Sequence, residues 1–467
     1  MNIYNSLTNK IEPITPIHDD HIGVYTCGPT VYDYPHIGNW FTFIRYDLLV
    51  RTLKVSGMYP KWVMNITDVG HLVSDADEGE DKLEKGAKRE GKTAWEVAKL
   101  YGDYFLDGLK RLNIIEPDYL PKATEHIKEQ IELIKELESK GFTYIIDDGV
   151  YYDTSKFPKY ASFARLDLNE QQAGARVKVN KQKRSNTDFA LWKFSPKDHK
   201  RDMEWDSPWG RGFPGLHIEC SAMSMKYLGE TIDIHSGGID HIPVHHSNEI
   251  AQSEAVTEKI FANYWMHTNH ILIEGEKIAK SSGNGLTLED IEKHGYSLQA
   301  FRLLVLQSHY RSQSKFSWED LEAAQNRLKD YQTMADLRWQ LVGEKHGIDD
   351  INFGEFETSI LTNLQNDLDT PKALSELSHC TKIINKRLVY EAEKTDFENF
   401  LKKIDLLLGT ELSNRLDITD EQKQIIISRN KARENKDWQK SDQLREELEK
   451  QGIGLNDNES NQTWYRL

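Results

Sequence analysis

The distribution of hydrophobic and polar positions near the start of the chain predicts a strand, a helix and a second strand. Ile22–Thr26 (IGVYT) has the character of a short buried strand. From Gly38 to Val55 apolar residues recur at helical spacing, and Gly57 and Pro60 end that segment. Lys61–Thr67 (KWVMNIT) is again typical of a strand. Such a βαβ unit implies a parallel sheet that binds its ligand at the carboxyl ends of the strands.

The rest of the pattern predicts further segments. Charged stretches with helical periodicity, from Asp75 to Leu112 and from Lys122 to Lys140, predict surface helices. The stretch FTYIIDDGVYYD (142–153) alternates around an Asp-Asp-Gly turn and predicts a hairpin in a segment inserted into the sheet domain. The sheet domain resumes with GRGFPGLHIECSAMS, and long helices dominate from about Leu288 to Leu407.

We therefore expect an α/β fold: a Rossmann-like parallel-sheet domain with an inserted α+β segment, followed by an α-helical bundle and a small C-terminal module. The expected boundaries are 1–112 with 205–288 for the sheet domain, 113–204 for the insertion, 289–320 for a connecting region, 321–412 for the bundle and 413–467 for the C-terminal module.

Length and composition are those of a soluble protein with more than one domain. The 467 residues exceed the about 250 to 300 at which single cores stop growing. No apolar run approaches the about 20 residues needed to cross a bilayer, and the N-terminus lacks the pattern of a secretory signal. Three cysteines are too few for a disulfide scaffold. We expect a cytoplasmic protein without a membrane partner. The net charge of −16 argues against a general nucleic-acid coat, although one specific RNA needs only a local basic stripe.

The first motif whose residues could take part in a reaction is Pro35-His-Ile-Gly-Asn39, where the loop after the first strand leads into a helix. Free backbone N–H groups and the helix dipole make such a terminus suitable for phosphates. Gly38 lets a phosphate chain approach the backbone closely. His36 and Asn39 can donate hydrogen bonds to phosphate oxygens that gain charge when the α-phosphate is attacked. A turn with a structurally satisfied histidine is the alternative, and the motif is too short to decide.

The second motif is Lys277-Ile-Ala-Lys-Ser281, which carries two lysines three positions apart. Lys277 and Lys280 can reach a triphosphate and neutralise departing pyrophosphate. A solvated basic loop is the alternative, and it is the commoner origin of an isolated lysine pair. The two motifs support each other because both must converge on one nucleotide.

A third set of residues has the composition of a zinc site. Glu249 follows His245 by four positions, which places both on one face of a helix. With Cys27 and Cys220 they make a plausible tetrahedral shell if the fold brings them together. His246 is an alternative ligand. Cys380 lies in an ordinary helical pattern and is expected in the core.

Taken together, the motifs resemble those of class I cysteinyl-tRNA synthetases over nearly the whole chain. The resemblance rests on the order of CGPTVYDYPHIGN, NITDV, QAGAR, PWG-x-GxPG-x-HIECSAMS, DIHSGG-x-D, HH-x-NEIAQSE, YWMH and KIAKS. In that family two cysteines, a histidine and a glutamate bind a zinc ion that holds the substrate thiol. The matching residues are Cys27, Cys220, His245 and Glu249.

The resemblance also implies roles for the other motifs. His36 through Asn39 match the HIGH-type signature and Lys277 through Ser281 the KMSKS-type signature. The catalytic residues implied are His36, Asn39, Lys277 and Lys280; the nucleotide-binding ones are Gly38, His235, Gly237, Asp240 and Lys280; Thr67 would contact the substrate.

The implied reaction has two steps. The carboxylate of L-cysteine attacks the α-phosphate of ATP, assisted by Mg²⁺, and the cysteinyl group then moves to the end of tRNA-Cys. One Zn²⁺ per chain would distinguish cysteine from serine, so no editing domain is expected. Residues 289–320 would contact the tRNA stem, 321–412 would form an anticodon-binding bundle and 413–467 would complete anticodon recognition. A monomer is implied by the family alone.

Several positions depart from the family pattern. Asn39 stands where the general class I signature ends in histidine, and Ile278-Ala279 replace the usual methionine and serine. Gly70-His71 stand where a second acidic pair is common, and Leu216 where many relatives have tryptophan.

Three alternatives compete with this interpretation. One is a cysteine-activating ligase with a small amine acceptor, of the mycothiol-pathway type, but the chain continues into segments that resemble anticodon-binding domains. Another is a non-catalytic zinc- and tRNA-binding paralogue, against which both lysines argue. A zinc hydrolase is disfavoured because four protein ligands leave no obvious site for water and no HExxH occurs.

Overall fold

The computed structural model describes residues 1–70, 81–160, 162–163, 182–196, 200–273, the backbone of 276–277, 285–343, 351–457 and 462–467. These residues form two compact units. The first unit comprises 1–298, 308–317 and 365–368, and the second comprises 299–307, 318–364 and 369–467.

The first unit contains most of the strands of the described chain. In chain order they are β1 (Asn2–Asn5), β2 (Lys10–Pro13), β3 (Ile22–Thr26), β4 (Pro60–Met64), β5 (Thr143–Ile146), β6 (Gly149–Tyr152), β7 (Phe189–Phe194), β8 (Gly212–Pro214), β9 (Ile232–Gly238), β10 (Ala262–Thr268), β11 (Ile271–Ile273), β12 (Glu276–Lys277) and β13 (Ser314–Phe316). Its helices are α1 (Ile37–Val55), α2 (Lys82–Glu90), α3 (Ala94–Arg111), α4 (Ile127–Ser139), α5 (Leu216–Leu228), α6 (Ser247–Thr257) and α7 (Leu288–Lys293).

A parallel four-stranded sheet with the order β10-β9-β3-β4 forms the centre of this unit. All five residues of β3 are buried, as expected of a parallel strand covered on both faces. Helix α1 connects β3 to β4 and completes the predicted βαβ unit. The α/β fold class and the first strand-helix-strand unit are therefore confirmed.

A second, antiparallel sheet has the order β5-β6-β7-β8. Its first two strands are the predicted hairpin, in which Ile146 pairs with Gly149 across the Asp-Asp turn. One side of the sheet packs on α4 and α5 through a core that includes Tyr152, Leu191 and Trp192. The predicted hairpin is thus confirmed, whereas the proposed domain boundaries remain predictions.

A small sheet, β12-β11-β13, follows the central one in the chain. Leu272 of β11 pairs with Lys277 of β12, and Ile271 pairs with Ser314 of β13. The second lysine motif therefore begins on a strand that is next to β11.

Helices dominate the second unit. They are α8 (Leu298–Leu306, whose first residue belongs to the first unit), α9 (Trp318–Asp336), α10 (Phe353–Gln365, whose last residue also belongs there), α11 (Thr370–Arg387), α12 (Lys394–Leu408), α13 (Asp420–Glu434) and α14 (Trp438–Lys450), followed by the hairpin β14 (Ile453–Asp457) and β15 (Gln462–Arg466). Helices α13 and α14 and the hairpin share a core that contains Leu448, Leu455 and Trp464. Cys380 is fully buried in α11, as predicted for a core residue.

No helix in the described part of the chain has the length and apolar character needed to cross a bilayer.

Two glycines of α3 give a matched test of how this helix packs. A Cβ atom at Gly108 would overlap the ring of Trp40, whereas one at Gly102 would meet no atom within 4 Å. We predict that Gly102→Ala stabilises the fold by about 0.5 to 1 kcal/mol, because alanine is the better helix former. Gly108→Ala should destabilise it by about 1 to 3 kcal/mol through overpacking. Thermal unfolding of both variants measures the difference, and equal shifts would contradict the packing of α3 on α1.

Candidate functional site

A cavity of about 300 Å³ opens at the carboxyl ends of the central strands, the edge at which the sequence predicts a ligand. Cys27 and Gly28, directly after β3, line one part of it. The start of α1 lines another part, as do Asp240, two residues after β9, and Thr268, the last residue of β10.

The first motif forms the N-terminus of α1. His36 is the N-cap, and its Nδ1 accepts a hydrogen bond from the backbone N–H of Asn39. In return, Oδ1 of Asn39 accepts one from the backbone N–H of His36 over 3.0 Å. This reciprocal capping box occupies the amide oxygen of Asn39, so its amide nitrogen is the group that can donate to a ligand. His36, Gly38 and Asn39 all line the cavity.

The second motif begins near the same cavity. Its first residue, Lys277, lies on β12 beside β11, and Ile271 of β11 lines the cavity. The chain after the motif returns to the start of α1, where the backbone N–H of Ile37 donates to the carbonyl of Leu286 over 2.8 Å. Lys280 lies outside the described residues, as do the departures at Ile278 and Ala279.

Four predicted metal ligands converge beside the cavity, although they are distant in sequence. Cys27 follows β3, Cys220 lies on α5, His245 on a single π-helical turn before α6, and Glu249 in the first turn of α6. One ligand atom from each lies within 4.8 Å of all the others. The turn before α6 and the helix itself place His245 Nε2 3.0 Å from Glu249 Oε1, as the four-residue spacing predicts.

A second set of donors shares two of these residues. Cys27, His235, His246 and Glu249 also lie within 4.8 Å of one another. His246 Nε2 is 3.3 Å from Cys27 Sγ, and His235 Nε2 is 2.8 Å from Glu249 Oε2. His246 is the alternative ligand that the sequence offers, and His245 and His246 each belong to one of the two donor sets.

The electrostatics of the cluster act differently on its four predicted ligands. The pKa of the Cys220 thiol is lowered to about 6, chiefly because the Cys27 thiol donates a hydrogen bond to its thiolate. That bond and burial raise the pKa of Cys27. Burial opposes ionisation of Glu249, but His235 and His245 hold its pKa below the usual range. Burial also opposes the charged form of His245, yet Glu249 and Cys220 raise its pKa well above normal. The cluster thus favours the anionic forms of Cys220 and Glu249, whereas Cys27 and His245 would have to lose a proton to bind a metal ion.

Further histidines hold these groups in place, and sequence reasoning gave them no role. His217 Nδ1 lies 2.8 Å from His245 Nδ1. His246 Nδ1 lies 2.8 Å from His267 Nε2, and His267 Nδ1 lies 2.8 Å from Ser6 Oγ. Such outer contacts orient the rings of metal-binding histidines. The HIEC and YWMH motifs contain His217 and His267, so the signal was present, but only the fold shows what each ring faces.

The remaining predicted site residues lie around the cluster. His235 is buried and faces Glu249, and Gly237 lies so close to the ring of His246 that a Cβ atom there would overlap it. Thr67 is buried, and its hydroxyl donates to Glu219 and accepts from the Asn65 amide. None of these three contributes to the cavity wall, in contrast to Asp240.

Of the departures, Leu216 is half-buried at the start of α5. Gly70 packs closely against the carboxylate of Asp81. His71 and the QAGAR segment lie outside the described residues.

Two protein-family models match the chain, one over most of the first unit and one near the C-terminus. A model described as tRNA synthetases class I (C) catalytic domain matches residues 13–326, and one described as Cysteinyl-tRNA ligase anticodon binding domain matches residues 415–464. The fold is similar to that of Mycobacterium tuberculosis methionyl-tRNA synthetase in complex with methionyl-adenylate, with a TM-score of 0.60 at 12% identity, covering 85% of this chain and 93% of that one. The chain is thus a class I aminoacyl-tRNA synthetase by family and by fold.

Full-length relatives narrow the class. The chain is 42% identical to the cysteine–tRNA ligase of Treponema denticola, over 100% of both chains. It is 44% identical to cysteine–tRNA ligase 1 of Burkholderia lata, over 100% of this chain and 97% of that one. The chain therefore belongs to the cysteine–tRNA ligase family, as its motifs predicted.

Proposed function

We propose that the chain activates L-cysteine with ATP and transfers it to the 3′ end of tRNA-Cys, with a zinc ion selecting the thiol. The observation that carries this proposal is the convergence of Cys27, Cys220, His245 and Glu249 beside the cavity that the first motif lines. Membership of the family supplies the reaction, and the donor cluster supplies the basis for choosing cysteine.

The donor set fits zinc. Two sulfurs, an imidazole and a carboxylate are the ligand types that Zn²⁺ prefers, at bond lengths of about 2.0 to 2.3 Å. Glu249 Oε1 is buried and makes no hydrogen bond of ordinary geometry, although His245 Nε2 is only 3.0 Å away. A buried carboxylate oxygen in that state is costly unless a cation satisfies it. One Zn²⁺ per chain, held by Cys27, Cys220, His245 and Glu249, would satisfy it.

Selection of cysteine over serine needs more than shape, because a pocket separates near-isosteres poorly. When bound, zinc supplies a soft Lewis acid that binds a substrate thiol far better than a hydroxyl. The chain's own contribution is to present the ligands in one buried cluster and to hold the amino acid beside the nucleotide. We further propose that Thr67 contributes to this amino-acid pocket.

The first step requires positioning and charge stabilisation and needs no general base. The cysteine carboxylate forms a bond to the α-phosphorus of ATP while the bond to the leaving pyrophosphate breaks, with Mg²⁺ on the phosphates. We propose that His36 and Asn39 donate to the oxygens that gain charge and that Lys277 and Lys280 neutralise the pyrophosphate. The positive end of the α1 helix dipole would stabilise the negative charge on the same oxygens.

The remaining contacts follow from the same arrangement. We propose that Gly38 admits the phosphates, that Asp240 binds the adenosine, and that His235 and Gly237 shape the floor between adenosine and metal cluster. In the second step a hydroxyl of the terminal adenosine of tRNA attacks the acyl carbon and AMP leaves. Residues 289–320 would contact the stem, and 321–412 and 413–467 the anticodon arm. We expect the chain to act as a monomer.

The decisive experiment is ATP–pyrophosphate exchange with cysteine or serine, on zinc-loaded and chelated protein, followed by charging of tRNA-Cys. We expect exchange with cysteine only, loss of exchange after chelation, recovery on adding zinc, and charging of the tRNA. Exchange without charging would point instead to a small amine acceptor. Absence of exchange in zinc-loaded protein would point to a non-catalytic paralogue.

The three cysteines allow a matched test of the metal site. We predict that Cys220→Ser lowers the zinc content from about one per chain towards zero, because a hydroxyl is a poor zinc ligand. Exchange should fall by more than about a hundredfold, since even changes outside the ligand set cost about ten- to a hundredfold. Elemental analysis after gel filtration measures the metal.

Cys380→Ser is the control, because Cys380 is equally buried but lies in α11 of the other unit. It should keep its zinc and its exchange activity. Comparison of His245→Asn with His246→Asn then tests the choice of histidine. If only the change at His246 released the ion, the second donor set would be the correct one.

Two substitutions of Asn39 can separate its role in the capping box from its proposed role in binding the ligand. We predict that Asn39→Ala and Asn39→Asp both reduce the exchange rate by about a hundredfold, because both remove the amide donor. Only Asn39→Ala should also lower stability, by about 1 kcal/mol, because aspartate retains an oxygen for the capping box. Exchange assays with thermal unfolding measure both effects, and full activity of Asn39→Asp would refute the donor role.

A further inference from the structure

Arg45 is a buried arginine on the helix that carries the first motif, and no role has been assigned to it so far. Its side chain is 1% exposed. Nη1 donates to the backbone carbonyl of Asn269 over 2.9 Å, and Nη2 donates to the hydroxyls of Ser308 and Ser314 over 3.2 and 3.0 Å. Its guanidinium also lies 5.5 Å from the ring centroid of Phe41.

The charge of this side chain is not balanced by an acid. All its hydrogen-bond acceptors are neutral, and among the described residues no carboxylate forms an ion pair with it. Burial lowers the pKa of Arg45 to about 10, which leaves it charged at neutral pH. Arg51 is the natural comparison, because it is nearly as buried on the same helix yet pairs with Asp47 over 2.7 Å. An unbalanced buried cation is costly and calls for an explanation.

The contacts of Arg45 join two segments that line the cavity. Thr42 and Tyr46 belong to its own helix, and Asn269, whose carbonyl it binds, forms with Ile271 the other segment, here called the Asn269–Ile271 wall. Other bonds also support the Asn269 segment: the N–H of Asn269 donates to the carbonyl of Tyr310, its side-chain amide donates to the carbonyl of Arg311, and β11 pairs with β13 at Ser314. Because one Nη reaches Asn269 and the other reaches Ser314, the planar guanidinium ties the wall to α1 and to β13 at once.

We propose that Arg45 is a positioning residue for the nucleotide: it fixes the Asn269–Ile271 wall relative to the start of α1, and its unbalanced charge favours a polyanion in the cavity. This inference rests on the proposed use of the cavity for ATP. In the cavity a nucleotide would contact both α1 and the Asn269–Ile271 wall, and its phosphates would supply the negative charge that the described protein residues do not.

Two features distinguish this role from ordinary core packing. A packing residue would affect both substrates and overall stability alike, whereas Arg45 should affect the nucleotide selectively, because it binds the carbonyl of Asn269, which lines the cavity. Lysine in its place would retain the charge but could not span Asn269 and Ser314 together. The methionine variant would lose both the charge and the bonds.

The test is steady-state ATP–pyrophosphate exchange by zinc-loaded wild type, Arg45→Met, Arg45→Lys and the control Arg51→Lys. We expect KM for ATP to rise about tenfold in Arg45→Met, because this variant loses a charged hydrogen bond and no longer fixes the Asn269–Ile271 wall. The rise should be smaller in Arg45→Lys. KM for cysteine and the zinc content should stay within about twofold of wild type. In Arg51→Lys, KM for ATP should not change.

An unchanged KM for ATP in Arg45→Met, or an equal rise for both substrates, would overturn the inference. If Arg45→Met does not fold, Ser314→Ala removes one acceptor and should raise KM for ATP about two- to threefold in the same selective way. Titration of each protein with Mg·ATP provides a readout without turnover. A wild type that binds ATP but performs no exchange would refute the proposed function, while a matching loss of ATP affinity in Arg45→Met would still support the role of Arg45.

Discussion

The carboxylate of Glu249 has no exposed surface, and the arrangement of the site depends on compensating its charge. A buried carboxylate persists only where cations or donors surround it. Here His235 and His245 approach its two oxygens, and the sulfurs of Cys27 and Cys220 complete a cluster that a divalent ion would hold together. Because β3, β9, α5 and α6 each contribute a group, the cluster also constrains how the helices pack on the sheet.

Much of the fold could be predicted because its signals are local. The buried run at Ile22–Thr26, the helical spacing from Gly38 to Val55 and the hairpin at 142–153 are set by neighbouring residues, and the structure has all three. The spacing of His245 and Glu249 is local as well. Convergence of Cys27 with Cys220 is not, since 193 positions separate residues 27 and 220, and it was expected only through the family resemblance.

What sequence reasoning missed depends on contacts between distant segments. Nothing near Arg45 in the chain indicates that its guanidinium reaches Asn269 and Ser314, because the partners belong to other elements. For the same reason His217 and His267 could be noticed in motifs but not given partners. Asn39 is a different case. It lacks the imidazole of the histidine that ends the general class I signature, and its side-chain oxygen takes part in the capping box. That interaction is local, and the spacing from His36 to Asn39 would have allowed its prediction.

The closeness of Cys27 and Cys220 has a consequence for the redox behaviour of the site. The sulfurs of Cys27 and Cys220 lie within 4.8 Å of each other, so an oxidant that reached this buried site could join them in a disulfide. Such a bond would remove both sulfur donors together and leave the imidazole and carboxylate without their partners. A metal ion at the proposed site would bind both sulfurs, so the same ion that would recognise the substrate thiol would also shield the protein's own thiols from oxygen and peroxide.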